Sequence, residues 1–210
     1  MIIAGFISCS KKHNTVITYY DLENKQMRES YTVRADSPSI REGEYLLYGM
    51  EGNLVERRKY SNNLISDTLI KYYGSGSVSE KSLFKAGIQD GPRRVFFESG
   101  PLMILEHYVN GKFEGLYQSF YENGTMKEEG QYVNDRMTGK WTYYYDTGEL
   151  KEEVYFENNE EHGPFVSYYK SGKLKATGTY AHGLKTGGWK YFDEDGQEMP
   201  EEDLNAGVTN

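Results

Sequence analysis

The chain's most reactive side chains are four histidines, one cysteine and a set of evenly spaced glutamates. His162 and His182 stand ten residues before and ten after Gly172, beside turn signals. Imidazoles in turns face water more often than they ligate metal, so no metal site is expected from them. Glu56, Glu80, Glu128 and Glu152 each follow a glycine by four residues. A pair of carboxylates can act as acid and base on a glycosidic bond. A catalytic pair occurs once in a chain, whereas this carboxylate recurs, so the glutamates read as a structural or binding stripe. Gly74-Ser75-Gly76-Ser77 has the composition of a phosphate loop. No helical pattern follows it, so it reads as a turn. No nucleophile–histidine–carboxylate spacing is visible. The sequence therefore assigns no catalytic residue, no metal and no cofactor, and points to recognition rather than turnover.

What positions these groups is a repeat. Gly52, Gly76, Gly100, Gly124, Gly148, Gly172 and Gly196 are separated by steps of 24 residues. A second series, Gly43, Gly91, Gly115, Gly139, Gly163 and Gly187, keeps the same phase with Asp67 in its one vacant place. Aromatic residues follow the period, with Tyr48, Tyr72, Phe96, Phe120, Tyr144, Tyr168 and Phe192 each four residues before a glycine of the first series. Short aromatic runs separated by Asn-Gly, Ser-Gly and Asp-Gly predict β-hairpins. Each repeat then reads as strand, two-residue turn at Asn123-Gly124 and its equivalents, strand, and a looser turn such as Asn134-Asp135 through Gly139. The fold class is all-β, an elongated single-layer twisted antiparallel sheet of tandem 24-residue hairpins. Residues 1–14 stand apart, 15–41 form a divergent capping repeat, 42–196 form the array, and 197–210 form an acidic tail.

Charge supports a protein partner over a nucleic acid. The net charge is -8, but Asp193 to Asp203 contribute seven acids and no base, which leaves a nearly neutral body. No basic block offers a nucleic-acid footprint. Mean hydropathy is -0.76, and no apolar run reaches the roughly 18–20 residues of a spanning helix. A lone cysteine excludes an intramolecular disulfide framework.

With Asn123-Gly124 as the turn, Tyr121 is placed opposite Met126 and Tyr117 opposite Gly130. One face then collects Tyr117, Tyr121, Trp141, Tyr145, Phe165, Tyr169 and Trp189, with Tyr132, Phe156 and Tyr180. Aromatic rings would lie over Gly130 and Gly178. The other face carries Phe120, Tyr144 and Tyr168 beside the stems of Lys127, Lys151 and Lys175. No segment supplies a second layer, so the sheet must cover itself by curling, leaving a concave, ring-lined surface suited to a partner. Those seven aromatics are the expected partner-binding residues, because Tyr and Trp combine large area with a polar handle. A monomer is expected.

The unit Gly139-Lys140-Trp141-Thr142-Tyr143-Tyr144-Tyr145-Asp146-Thr147-Gly148-Glu149-Leu150 resembles the variant MORN repeat. The same pattern recurs from Gly187-Gly188-Trp189 to Gly196. The resemblance covers 43–196 well, 15–41 poorly and 1–14 not at all. It implies an antiparallel hairpin sheet that binds partners. Bacterial proteins with this repeat are commonly labelled antitoxin or immunity components of a toxin pair. Other MORN arrays are linked to membrane lipids, which would call for basic residues that this neutral body lacks. A structural envelope scaffold without a toxin partner is the alternative.

Met1-Ile2-Ile3-Ala4-Gly5-Phe6-Ile7-Ser8-Cys9 resembles a bacterial lipoprotein signal, with Cys9 as the lipidated residue. That places the chain on the cell envelope through a lipid anchor. The alternative is a short apolar first strand, an inert thiol and a cytoplasmic protein.

Overall fold

In the computed structural model, residues 5–6 and 12–200 are described. Cys9, the expected lipidation position, and residues 201–210 of the acidic tail lie outside them. The described residues hold strands and turns and no helix. They form an antiparallel sheet of hairpins that is not closed into a barrel. No described helix is long and apolar enough to cross a membrane.

The chain divides into two compact units, one of Met1–Leu102 with His107–Lys112, the other of Met103–Glu106 with Phe113–Asn210. In the first unit, the divergent segment forms a hairpin of His13–Tyr19 with Met27–Arg34, and Gly5–Phe6 pairs with Ile17 and Val16. Regular hairpins follow, beginning with Arg41–Tyr48 and Leu54–Ser61. In the second unit, Gly115–Phe120, Met126–Val133, Arg136–Tyr144, Leu150–Glu157, Glu160–Tyr168, Leu174–Ala181 and Leu184–Phe192 pair in chain order.

The two turns of each repeat exchange the expected roles. The Gly124 turn spans three residues, Glu122-Asn123-Gly124. The Gly124 N–H donates to Tyr121 O and the Tyr121 N–H to Thr125 O, both at 2.9 Å. Gly124 has a φ of 86°. This is a type I turn closed by one left-handed residue, which glycine adopts without a Cβ clash. Tyr121 therefore opposes Thr125, and Met126 pairs with Phe120. A bulge between Ser119 and Phe120 absorbs the one-residue difference, so Tyr117 still pairs with Gly130 as expected. The second turn is the two-residue one. Asn134 and Asp135 have φ values of 50° and 66° between the paired Val133 and Arg136. Such type I′ turns need two positive φ values, which Asn and Asp tolerate.

The core of the second unit lies on one face of its sheet. Trp141 pairs with Val154, Val154 with Phe165, Phe165 with Gly178, Ser167 with Ala176, and Tyr143 with both Glu128 and Glu152. Ser119, Trp141, Val154, Ser167 and Ala176 on this face are buried. In the first unit, Val33, Tyr45, Tyr60, Leu69 and Ser82 are buried. With no second layer among the described residues, each unit buries side chains against those of its neighbouring strands.

Candidate functional site

The ring-lined face of the second unit is the candidate site. Trp141 packs against Tyr117, Tyr132, Tyr143 and Phe156, with ring centroids 5.6, 5.3, 6.5 and 6.1 Å away. Two repeats on, Trp189 packs against Phe165, Tyr180 and Tyr191 at 5.0, 4.9 and 6.0 Å. Ring contacts of this kind add about 0.5–1.5 kcal/mol each beyond area burial. They confirm that Tyr117, Tyr132, Trp141, Phe156, Phe165, Tyr180 and Trp189 share a face.

The seven expected partner-binding residues fall into three situations. Trp141 is only 2% exposed, so its ring belongs to the core. Tyr121, Tyr145 and Tyr169 are half-buried and use their hydroxyls internally. They donate to the carbonyls of Tyr144, Tyr168 and Phe192 at 2.9, 2.8 and 2.7 Å, each bond joining one repeat to the next. Tyr117, Phe165 and Trp189 are half-buried and lie along the face. The Tyr145→Phe variant is expected to lose about 1 kcal/mol of stability in urea unfolding, the worth of one such hydrogen bond.

One local expectation is corrected. The ring over Gly130 is that of Trp141, and the ring over Gly178 is that of Trp189. The cover comes from the following strand, not from the directly paired Tyr117 and Phe165. The ammonium groups of Lys151 and Lys175 lie over Tyr145 and Tyr169, at 6.0 and 5.5 Å.

Glu128 and Glu152 lie on this face, and the recurring glutamates are treated differently in the two units. In the first, Glu56 pairs with Arg58 at 2.9 Å. Glu80 receives Arg93 at 2.9 Å, Lys71 at 3.3 Å and the Ser82 hydroxyl at 2.7 Å. Burial alone would raise the Glu80 pKa, but these donors outweigh it and hold it at about 2. In the second unit, Glu128 accepts from the hydroxyls of Ser119 at 2.9 Å and Tyr117 at 3.3 Å. The Glu152 carboxylate has no hydrogen bond or ion pair among the described residues. Burial, reinforced by Glu161, raises its pKa against the opposing pull of Lys151 and Lys175. Burial also pushes the Tyr143 hydroxyl up to about 12, with Glu128 and Glu152 adding to it.

The two turn histidines meet. The rings of His162 and His182 are 4.9 Å apart, edge to face. Glu157 lies 3.8 Å from His162 and Glu160 lies 3.4 Å from His182. Among the described residues, no group of three or more His, Cys, Asp or Glu side chains could hold a metal ion.

Residues 113–134, 137–158 and 161–182 match the family model of the MORN repeat variant. These three stretches, about a third of the chain, are similar to the MORN repeat variant. The three matched MORN repeats lie in the second unit and contain Trp141, Glu128, Glu152 and the histidine pair. No curated protein matches the chain. A chain of the solved structure titled "Crystal Structure of TcdB2-TccC3-Cdc42" aligns over 89% of this chain at 10% identity with a TM-score of 0.25. This chain spans 12% of that one.

The periodicity that defines the MORN repeats also explains what sequence reading missed. The positions of Glu42, Asp90, Glu114 and His162 are equivalent, as are those of Asn62, Asn110, Asn134 and His182. In the earlier repeats, the carboxylate accepts a hydrogen bond from the asparagine backbone N–H, at 2.9, 3.2 and 2.9 Å. His162 and His182 occupy the two ends of that same clamp. The repeat offset of 20 residues between them was the available signal.

Proposed function

We propose that this MORN-repeat protein is a non-enzymatic, partner-binding protein, and that its partner is a protein toxin for which it serves as antitoxin or immunity component. One observation carries the binding reading. An antiparallel sheet with no helix among its described residues keeps a face of tyrosine, phenylalanine and tryptophan rings, most of them half-buried. Half-buried aromatics gain further burial on docking and lose little side-chain entropy. The toxin assignment is supported by the resemblance to bacterial antitoxin-labelled MORN proteins. It is tested by co-expressing the chain with the product of the adjacent gene. Relief of growth arrest, together with a stable complex of the two purified proteins, is expected. Arrest that persists, with no complex formed, would overturn the toxin assignment.

Envelope attachment through Cys9 is a separate proposal. Metabolic lipid labelling is expected in the full chain and lost in Cys9→Ser. Equal labelling of both proteins, or of neither, would remove the anchor.

A further inference from the structure

The reading of the second unit's ring-lined face as a docking surface leaves the chemistry of its partner open. Charge on that face narrows it. Glu128, Glu152 and Glu161 stand among the rings. Glu152 pairs across strands with Ser167 and Tyr143, and Glu161 with Phe156. Among the described residues, neither the Glu152 nor the Glu161 carboxylate has an ion pair or hydrogen bond. The lysines near these rings are engaged elsewhere: the Lys185 ammonium donates to Tyr191 Oη at 2.9 Å and lies 4.4 Å from the centre of the Trp189 ring, while those of Lys151 and Lys175 lie over Tyr145 and Tyr169 and pull on Glu152 without an ion pair.

Two comparisons within the molecule make this arrangement informative. At the equivalent repeat positions of the first unit, Glu56 and Glu80 are each matched by an internal cation. On the opposite face of the second unit, Glu153 is ion-paired with Lys140. The chain thus supplies ion-pair partners for such carboxylates elsewhere and, among the described residues, none at Glu152 and Glu161. A carboxylate kept partly out of water without a cation costs the free fold stability. The burial that raises the Glu152 pKa is the same cost seen in its titration. Residues that burden the fold while lining a recognition face are expected where binding compensates.

We propose that this face docks a protein segment rich in arginine or lysine, whose cationic side chains meet Glu152 and Glu161 beside Tyr143, Phe156 and Tyr180. Guanidinium and ammonium groups satisfy both features at once, through charge-assisted hydrogen bonds to carboxylates and cation–π contact with rings. A metal ion is the poorer match, because no third ligand joins these carboxylates. The proposal rests on the partner-binding reading and specifies the partner's charge.

The test uses the full chain and a hexa-arginine peptide, with hexa-glutamate as the reverse-charge control, followed by calorimetry. Glu152→Gln and Glu161→Gln are expected to weaken hexa-arginine binding by about tenfold each, the scale of a charged hydrogen bond. Glu153→Gln makes the same change in net charge on the opposite face and is expected to shift affinity by less than about twofold. Urea unfolding at neutral pH is expected to show Glu152→Gln as stable as the parent or more so. Equal loss of affinity in all three variants would reduce the binding to net charge and overturn the proposal. So would unfolding of Glu152→Gln at lower urea than the parent, which would make Glu152 a structural residue. If Phe165→Ala abolishes capture of the co-encoded protein while Glu152→Gln and Glu161→Gln do not, the docking face stands and its cationic preference falls. If none of the three affects capture, the face itself is wrong.

Discussion

Trp141→Ala is expected to cost about 3–5 kcal/mol of unfolding free energy, the range for truncating an enclosed large aromatic. The indole is 2% exposed and touches four rings, those of Tyr117, Tyr132 and Phe156 on other strands and of Tyr143 on its own. Trp189 holds the equivalent place two repeats later, packs against three rings and is half-buried, so Trp189→Ala is expected to cost clearly less. The ring over Gly130 gives a sharper form of this prediction. A methyl group at Gly130 would overlap the Trp141 indole. Gly130→Ala is therefore expected to destabilise by about 1–3 kcal/mol. In a Trp141→Ala background the same change removes no contact, and it is expected to be neutral or mildly stabilising. Urea unfolding of the four proteins gives the coupling directly. Additive losses would mean that the ring does not lie over this glycine.

The second large effect concerns Glu80. The carboxylate is held at about 2 against a usual 4.5, and its side chain is 14% exposed. The folded protein binds its proton less readily than the unfolded chain does. The stabilisation is thus complete above the unfolded value of 4.5, and is lost as pH falls from there through about 2. Its size is about 3 kcal/mol. Glu152 works in the opposite sense: with its pKa raised, its contribution declines as pH rises past 4.5. In urea unfolding between pH 6 and pH 2.5, the parent is expected to lose stability that Glu80→Gln does not. At neutral pH, Arg93→Met leaves Glu80 with Lys71 and Ser82 as its neighbours. It is expected to cost about 3 kcal/mol, most of it recovered by adding Glu80→Gln. Parallel acid profiles for parent and Glu80→Gln would remove this carboxylate from the account.

Much of this architecture was legible because the repeat phase places like residues at like positions. The spacing of the glycines predicted the hairpins. The pairing of Tyr117 with Gly130, and the face shared by Trp141, Phe156, Phe165 and Tyr180, followed from strand alternation. The turn types did not follow, because Asn-Gly occurs both as a two-residue turn and at the end of a three-residue one. The bulge after Ser119 then cancels the difference, so a correct far register came with an incorrect near one. The roles of Tyr121, Tyr145 and Tyr169 were hidden for a different reason. Their hydroxyls reach the next repeat, 23 residues on, and sequence alternation carries no information about that direction. Periodicity does expose the contrast within the glutamate stripe, once the partners are known. Arg58 and Arg93 pair with Glu56 and Glu80, and the equivalent positions beside Glu152 hold Val154 and Phe165.

The central claim is that the ring-lined face of the second unit is where a protein partner binds. Face-specific variants of the full chain, tested for binding to the co-encoded protein, address it most directly. Phe165→Ser and Trp189→Ser alter the ring-lined face. Leu116→Ser and Tyr155→Ser alter exposed apolar residues on the opposite one. With circular dichroism unchanged in all four, the account predicts that the first pair loses the partner and the second pair keeps it. Retention by the first pair with loss in the second would contradict it.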